Sequence, residues 1–179
     1  MLLRKSVCFA ENRKAMENRK KVIEILTSIG IEFQLFEHPP LPTIEIASAH
    51  WKDIPARHCK NLFFRNHKGN RHYLVILDSL QALDIHDLEK RLRQGKISFA
   101  SDQRLEKHLG LKAGSVSPFG LINDTDNSVH VFLDETLKSS DRISFHPNEN
   151  TSTLVISFDD FLKFLEWTGN GFEFIKLHD

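Results

Sequence analysis

The stretch 58-HCKNLFFRN-66, its link 67-HKGN-70 and the following 71-RHYLVILD-78 decide the fold. Both outer segments are short, rich in aromatic and β-branched residues, and joined by a glycine-bearing link. The three together predict two antiparallel strands and a hairpin turn. In a half-buried strand, successive side chains point to opposite faces. Lys60, Leu62 and Phe64 therefore share one face, and Cys59, Asn61, Phe63 and Arg65 the other. A lysine on the same face as Leu62 and Phe64 is unexpected. Either it snorkels to water from the strand end, or its ammonium is a point charge available to a phosphate or a carbonyl oxygen.

Outward from this hairpin, strands and helices alternate irregularly. Upstream, Val22, Ile25, Leu26 and Ile29 recur on one helical face from Glu17 onward, and Gly30 stops the helix. The first sixteen residues lack a period and read as a loose extension, with the folded domain spanning 17–179. Ile31–Glu37 alternates as a strand, HPPLPT (38–43) breaks it, and Thr43 can cap a short helix carrying Ile44, Ile46 and Ala47. Downstream, helices are expected over 84–93 and 101–110, and strands over SVHVFLDE (128–135), RISFHP (142–147) and TLVIS (153–157). A helix follows, with a capping pattern of Ser157 with Asp160 and a face of Phe161, Phe164 and Leu165. GFEFIKL (171–177) closes the chain as a strand. With no regular βαβ rhythm, the expected fold class is α+β: a single domain with a curved, mixed, mostly antiparallel sheet flanked by helices.

Composition narrows the chemistry. The 179 residues carry 24 Lys plus Arg against 24 Asp plus Glu. A protein gripping many phosphates is usually basic, so any nucleic-acid contact here should be small and local, such as a strand end. Two cysteines, Cys8 and Cys59, form no CxxC pair, and no run approaches the roughly 20 apolar residues that span a bilayer. The N-terminus also lacks the apolar core of a signal peptide. A soluble protein of the reducing cytoplasm is expected, with no membrane partner.

GxSxG, HExxH, Walker and GxGxxG signatures are all absent, so chemistry must rest on positioned polar groups and backbone donors. Three constellations offer such groups. The first is Lys60 with Asn61. The second is GSVSPFGLIND (114–124), where Gly114 and Gly120 permit unusual backbone geometry and Pro118 stiffens the segment. That loop either points N–H groups at an oxyanion or simply connects a helix to a strand. The third is FHPNENTST (145–153), where His146 ends an apolar strand beside a proline turn and can exchange a proton near neutral pH.

HPPLPT, KNLFFRN, GSVSPFGLIND and FHPNENTST, in this order, resemble the YbaK/proline-tRNA-synthetase-associated editing superfamily. Within it the chain is most similar to the free-standing prolyl-tRNA editing proteins known as PrdX or ProXp-ala. The likeness extends from about Glu17 to the C-terminus. It implies a deacylase that hydrolyses the ester of a mischarged small amino acid, in the alanine-directed branch alanyl-tRNA for proline. The implied partner is the aminoacylated acceptor end of tRNA, with prolyl-tRNA synthetase as a second partner. No metal and no organic cofactor are implied. By position, Lys60 matches the family's functional lysine, Asn61 its neighbour, Gly114 and Pro118 the glycine-x-x-x-proline loop, and His146 a histidine lining the site. The catalytic set implied is Lys60, His146 and Gly114. The substrate-binding set is Asn61, His38, Thr43, Ser115, Ser117, Pro118, Phe119 and Gly120.

Three departures stand out: Ser117 where threonine is usual, Cys59 where threonine is common, and Pro42 where the branch often has an aromatic. The last bears on substrate choice. A deacylase for seryl-, threonyl- or cysteinyl-tRNA, a noncatalytic module binding a tRNA end or an amino acid, and a Cys59-dependent hydrolase with His58 or His146 as base remain as other readings.

Overall fold

In the computed structural model, the described residues are 2–41 and 44–177. The predicted hairpin forms as β2 (Arg57–Asn66) and β3 (His72–Asp78), in register from Cys59 opposite Asp78 to Arg65 opposite His72. Around it lie β1 (Phe33–Glu37), β4 (Ile97–Phe99), β5 (Val129–Asp134), β6 (Arg142–Phe145), β7 (Ser152–Ser157) and β8 (Phe172–Ile175). The sheet runs β1-β7-β6-β2-β3-β5-β8, with β4 attached to β2 beside β6. β1–β7, β6–β7, β2–β3 and β2–β4 pair antiparallel, whereas β2–β6, β3–β5 and β5–β8 pair parallel. The fold is the mixed α/β single domain expected.

Both faces are covered. Cys59, Phe63, Leu74 and Ile76 bury on one face with Val22 and Leu26 of α1 (Leu2–Ser28), Leu105 and Leu109 of α4 (Asp102–Leu109), and Phe161, Phe164 and Leu165 of α5 (Phe158–Thr168). Phe64, Tyr73, Val75 and Leu77 bury on the other face against Leu88 and Leu92 of α3 (Ile85–Leu92). The period-two alternation of β2 thus serves two cores, which is why its even and odd residues are both apolar.

The helix ends follow from their capping residues. Asp84 and Ser101 accept the N–H of Asp87 and Arg104 to start α3 and α4. Gly110 (φ 66°) and Gly169 (φ 74°) end α4 and α5 in the left-handed region. Ser157 accepts the Asp160 N–H at 3.0 Å, and its hydroxyl donates to the Asp160 carboxylate at 2.8 Å. The reciprocal contact is therefore hydroxyl to carboxylate, where a capping box would return to the backbone N–H.

Two elements depart from the sequence reading. α1 begins at Leu2, well before Glu17. Residues 2–16 contain no glycine or proline and several strong helix formers, so the helix continues without an apolar stripe to reveal it. β4 was not expected, because three residues are too few to show alternation. α2 (Ile44–Trp51) forms where the short helix was predicted. Its expected cap Thr43, and Pro42, lie outside the described residues.

Candidate active site

β2 has a neighbour along the whole of one edge but only at the two ends of the other. β6 pairs with Arg57 and His58, and β4 with Phe64, Arg65 and Asn66. The His58 carbonyl accepts Ser79 N–H on the β3 side at 2.8 Å, while the Phe63 carbonyl accepts Ala100 N–H on the opposite side at 2.9 Å. Even-numbered residues therefore bond β3, and odd-numbered ones face away from it. In the gap between β6 and β4, the main-chain N–H and C=O of Asn61 turn outward without a strand partner. A cavity of about 340 Å³ opens at this gap, bordered by Asn61, Trp51, Phe99, Gly114, Val116 and His146 among others.

The Asn61 side chain ties the gap to the 114–117 loop. Its Nδ2 donates to the Val116 carbonyl at 3.1 Å, while its Oδ1 is buried without a hydrogen bond. An unpartnered buried acceptor is costly, about 1–3 kcal/mol, unless a ligand donor supplies the bond. Gly114 adopts φ +84°, a left-handed conformation natural to glycine, and a Cβ there would meet nothing within 4 Å. The turn favours glycine at this position, and the space beside it is open.

His146 is a neutral acceptor. Its Nδ1–H donates to the Ser152 carbonyl at 3.0 Å, which leaves the Nε2 lone pair on a ring lining the cavity. Burial lowers its pKa below the ordinary 6.5, against the opposing pull of the Ser152 hydrogen bond and Glu149, which favours the neutral ring near neutral pH. His38 lies 6.0 Å away, ring centroid to centroid, and both its nitrogens are occupied. Nδ1–H donates to Pro39 O at 2.8 Å, and Nε2 is hydrogen-bonded with the Thr153 hydroxyl at 3.0 Å. That hydroxyl accepts in turn from Trp51 Nε1–H at 3.4 Å. Trp51 stacks on His58 at 4.6 Å and 5°, and His58 is itself fixed between Ser144 and Ile54. A chain of hydrogen bonds and stacked rings thus sets one wall. Neither Trp51 nor Thr153 was singled out from sequence, because partners so far apart in the chain leave no local signal.

Lys60 borders the same cavity, but its amine donates to the Gln81 carbonyl in the loop after β3. It shares the strand face of Leu62 and Phe64, as alternation requires, and so does not point the way Asn61 does. Partial burial lowers its pKa, and Asp78 partly counters this. Among the remaining expected residues, Ser115 lines a neighbouring hollow with Glu149 and Asn150. Ser117, Pro118, Phe119 and Gly120, expected to bind substrate, are buried and are not among the residues that line this cavity. Ser117 Oγ accepts Phe119 N–H at 3.2 Å, starting a 3-10 turn over Pro118–Asn123. The Phe119 ring packs edge-on to Phe145 and Phe164 at 5.9 and 5.1 Å. Asn148 Nδ2 donates to the Phe119 carbonyl at 3.1 Å. Gly114 of this loop borders the cavity, whereas Pro118 and Gly120 are buried within the turn.

Cys59 is buried, and burial pushes its thiol pKa far up, against any thiolate nucleophile. Among the described residues, no three His, Cys, Asp or Glu side chains converge as metal ligands, and no helix is long and apolar enough to cross a membrane.

Residues 38–164 match the family model described as an aminoacyl-tRNA editing domain. The prolyl-tRNA editing protein ProX of Acetoanaerobium sticklandii is 39% identical over 162 residues, covering 90% of this chain and 99% of that one. A prolyl-tRNA synthetase associated domain-containing protein 1 of Bos taurus is 30% identical, covering 90% and 92%. A crystal structure assigned provisionally as a trans-editing enzyme for prolyl tRNA synthetase shares the fold, with a TM-score of 0.66 at 19% identity over 89% of this chain and 96% of that one.

Proposed function

The chain belongs to the aminoacyl-tRNA editing domain family, and from that premise we propose that it is a trans-editing deacylase whose substrate is alanyl-tRNA for proline. The observation that carries this reading is the interrupted edge of β2. There, main-chain groups of Asn61, the Gly114 turn and the His146 lone pair border one small cavity.

An aminoacyl ester is already reactive, so its hydrolysis needs position more than a strong nucleophile. In this reading the ester carbonyl sits at the open edge with the Asn61 N–H as a fixed donor. Such a donor contributes about 3 kcal/mol when charge develops on the carbonyl oxygen. Water adds to the carbonyl carbon, the bond to the ribose oxygen breaks, and the ribose 3′-hydroxyl leaves with a proton. His146, neutral and fixed through Nδ1–H, orients the water or the neighbouring ribose hydroxyl with Nε2. The unpartnered Asn61 Oδ1 suits the ammonium of the amino acid. Lys60, with one donor on Gln81, keeps two protons for a phosphate or ribose oxygen at the acceptor end. The reaction belongs where translation runs, in the cytoplasm, and prolyl-tRNA synthetase is the enzyme whose errors it would clear.

A sieve explains the choice of alanine. A pocket built for proline rejects a smaller side chain by only about 1–3 kcal/mol per missing methylene. A second site too narrow for proline removes that residue of error. The test is a deacylation panel of alanyl-, seryl-, cysteinyl-, threonyl- and prolyl-tRNA for proline. Fastest loss of alanine, with prolyl-tRNA spared, is expected. Preference for seryl-, threonyl- or cysteinyl-tRNA would move the substrate assignment while leaving the reaction class in place.

A further inference from the structure

Phe99 is a large apolar side chain left 55% exposed, yet it is not loose. Its ring stacks on Phe64 at 4.6 Å and 24°, and Phe64 is completely buried. The two residues are also direct partners in the β2–β4 register. One position later, Ala100 N–H donates to the Phe63 carbonyl at 2.9 Å, which fixes the adjoining backbone. Phe99 thus has one face against the core, while the residue lines the rim of the cavity at the β2 gap. One face of the ring gives Phe64 part of its cover, and more than half of the residue is left open to solvent in a fixed orientation. A fixed flat ring at the rim of a site suits a flat ligand.

We propose that Phe99 is a stacking platform for a nucleobase, the terminal adenine of the tRNA whose ester enters the cavity. This rests on the deacylase reading and adds the subsite that receives the nucleoside. The division of labour is physical. The cavity is bordered by polar groups suited to an amino acid, at Asn61 and His146, whereas the base next to the ester is flat and apolar on its faces and suits the exposed ring of Phe99. Stacking is tolerant of base identity, because every base has a π face. The platform therefore supplies affinity and orientation without sequence readout. That fits a chain with no excess of positive charge, since stacking replaces part of the affinity that phosphate contacts would otherwise provide.

The experiment uses an uncharged acceptor-stem hairpin of tRNA for proline ending in 2-aminopurine, a base whose fluorescence is quenched by stacking. Wild-type protein, Phe99→Tyr, Phe99→Leu and Phe99→Ala are titrated. Phe99→Leu keeps apolar cover over Phe64, and so separates loss of the ring face from loss of packing. Quenching is expected with wild type and Phe99→Tyr. Phe99→Leu and Phe99→Ala should lose it and bind at least tenfold more weakly. Equal quenching and affinity in all four proteins, or no quenching with wild type, overturns the platform. Deacylation of alanyl-tRNA by the wild type is measured alongside. If it persists while quenching does not depend on the ring, the platform fails and the enzymatic reading stands. If deacylation is absent while ring-dependent quenching is present, the reverse holds.

Discussion

Replacing Gly120 by alanine asks whether the loop beneath the cavity is packed as tightly as its contacts imply. A Cβ at this position would lie 2.8 Å from Leu111 Cδ1, 2.9 Å from Leu109 Cβ and 3.2 Å from the Leu109 carbonyl oxygen. Ordinary carbon contacts are about 3.5–4.0 Å. The Leu111 methyl could rotate away only into a filled core, because Leu111 and Leu109 are 1% and 0% exposed. Leu109 Cβ and its carbonyl cannot move without shifting the end of α4. Overpacking of this kind costs about 1–3 kcal/mol. Reduced freedom of the unfolded chain returns about 0.4–1 kcal/mol. A net loss centred on about 1.3 kcal/mol remains, a fall in Tm of about 3–5 °C for a chain of this size. Thermal unfolding followed by circular dichroism reads it directly. Because the same turn runs on from the Val116 carbonyl held by Asn61, deacylation should weaken as well. An unchanged or raised Tm would refute the packing argument, and with it the view that Gly120 serves closeness and not substrate contact.

Four further outcomes follow, three from the site and one from a buried histidine outside it. Lys60→Ala should lower kcat/KM on mischarged tRNA at least tenfold and reduce the salt dependence of binding by about one counterion, measured across a salt series; an unchanged salt slope would remove the phosphate role. His72, buried against His108 and Arg104, has its pKa lowered to about 4 by burial first and then by those neighbours. Its folded pKa lies below the unfolded value of 6.5, so the stability it contributes is fully present above pH 6.5. That stability is lost as pH falls toward 4. Urea midpoints should decline over that window, and His72→Gln should flatten the decline. Cys59→Ser should keep its deacylase activity, and the native thiol should resist alkylation in a peptide-mass assay, since burial opposes the thiolate. His146→Ala should cut kcat more than KM in steady-state deacylation, whereas a purely structural role would lower Tm and leave the activity of the folded fraction intact.

What the sequence revealed depended on how local the signal was. The β2–β3 hairpin, the Ser157 cap of α5 and the alternation of Lys60 against Asn61 are written within a few residues of one another, and they were legible. The gap in β2's outer edge was not. It exists because β6 and β4, from distant parts of the chain, pair with opposite ends of one strand, and β4 is only three residues long. The same reason hid the Trp51–Thr153–His38 chain, whose members meet only in the fold. The loop 114–120 was recognised as special from its glycines and proline. Which atoms it offers could not be read, because a buried Ser117 and an exposed one look alike in sequence. Lys60 lies where alternation put it, and alternation is also why its amine reaches Gln81 and turns away from the Asn61 side.

The most direct test of the account is a turnover count. Protein is mixed with a hundredfold excess of alanyl-tRNA for proline, and free alanine is measured over time beside a matched reaction with prolyl-tRNA. Release of many equivalents of alanine per protein, with proline retained on its tRNA, is the predicted result. Release that stops at one equivalent, or equal loss from both substrates, would contradict a size-selective hydrolytic site at the open edge of β2.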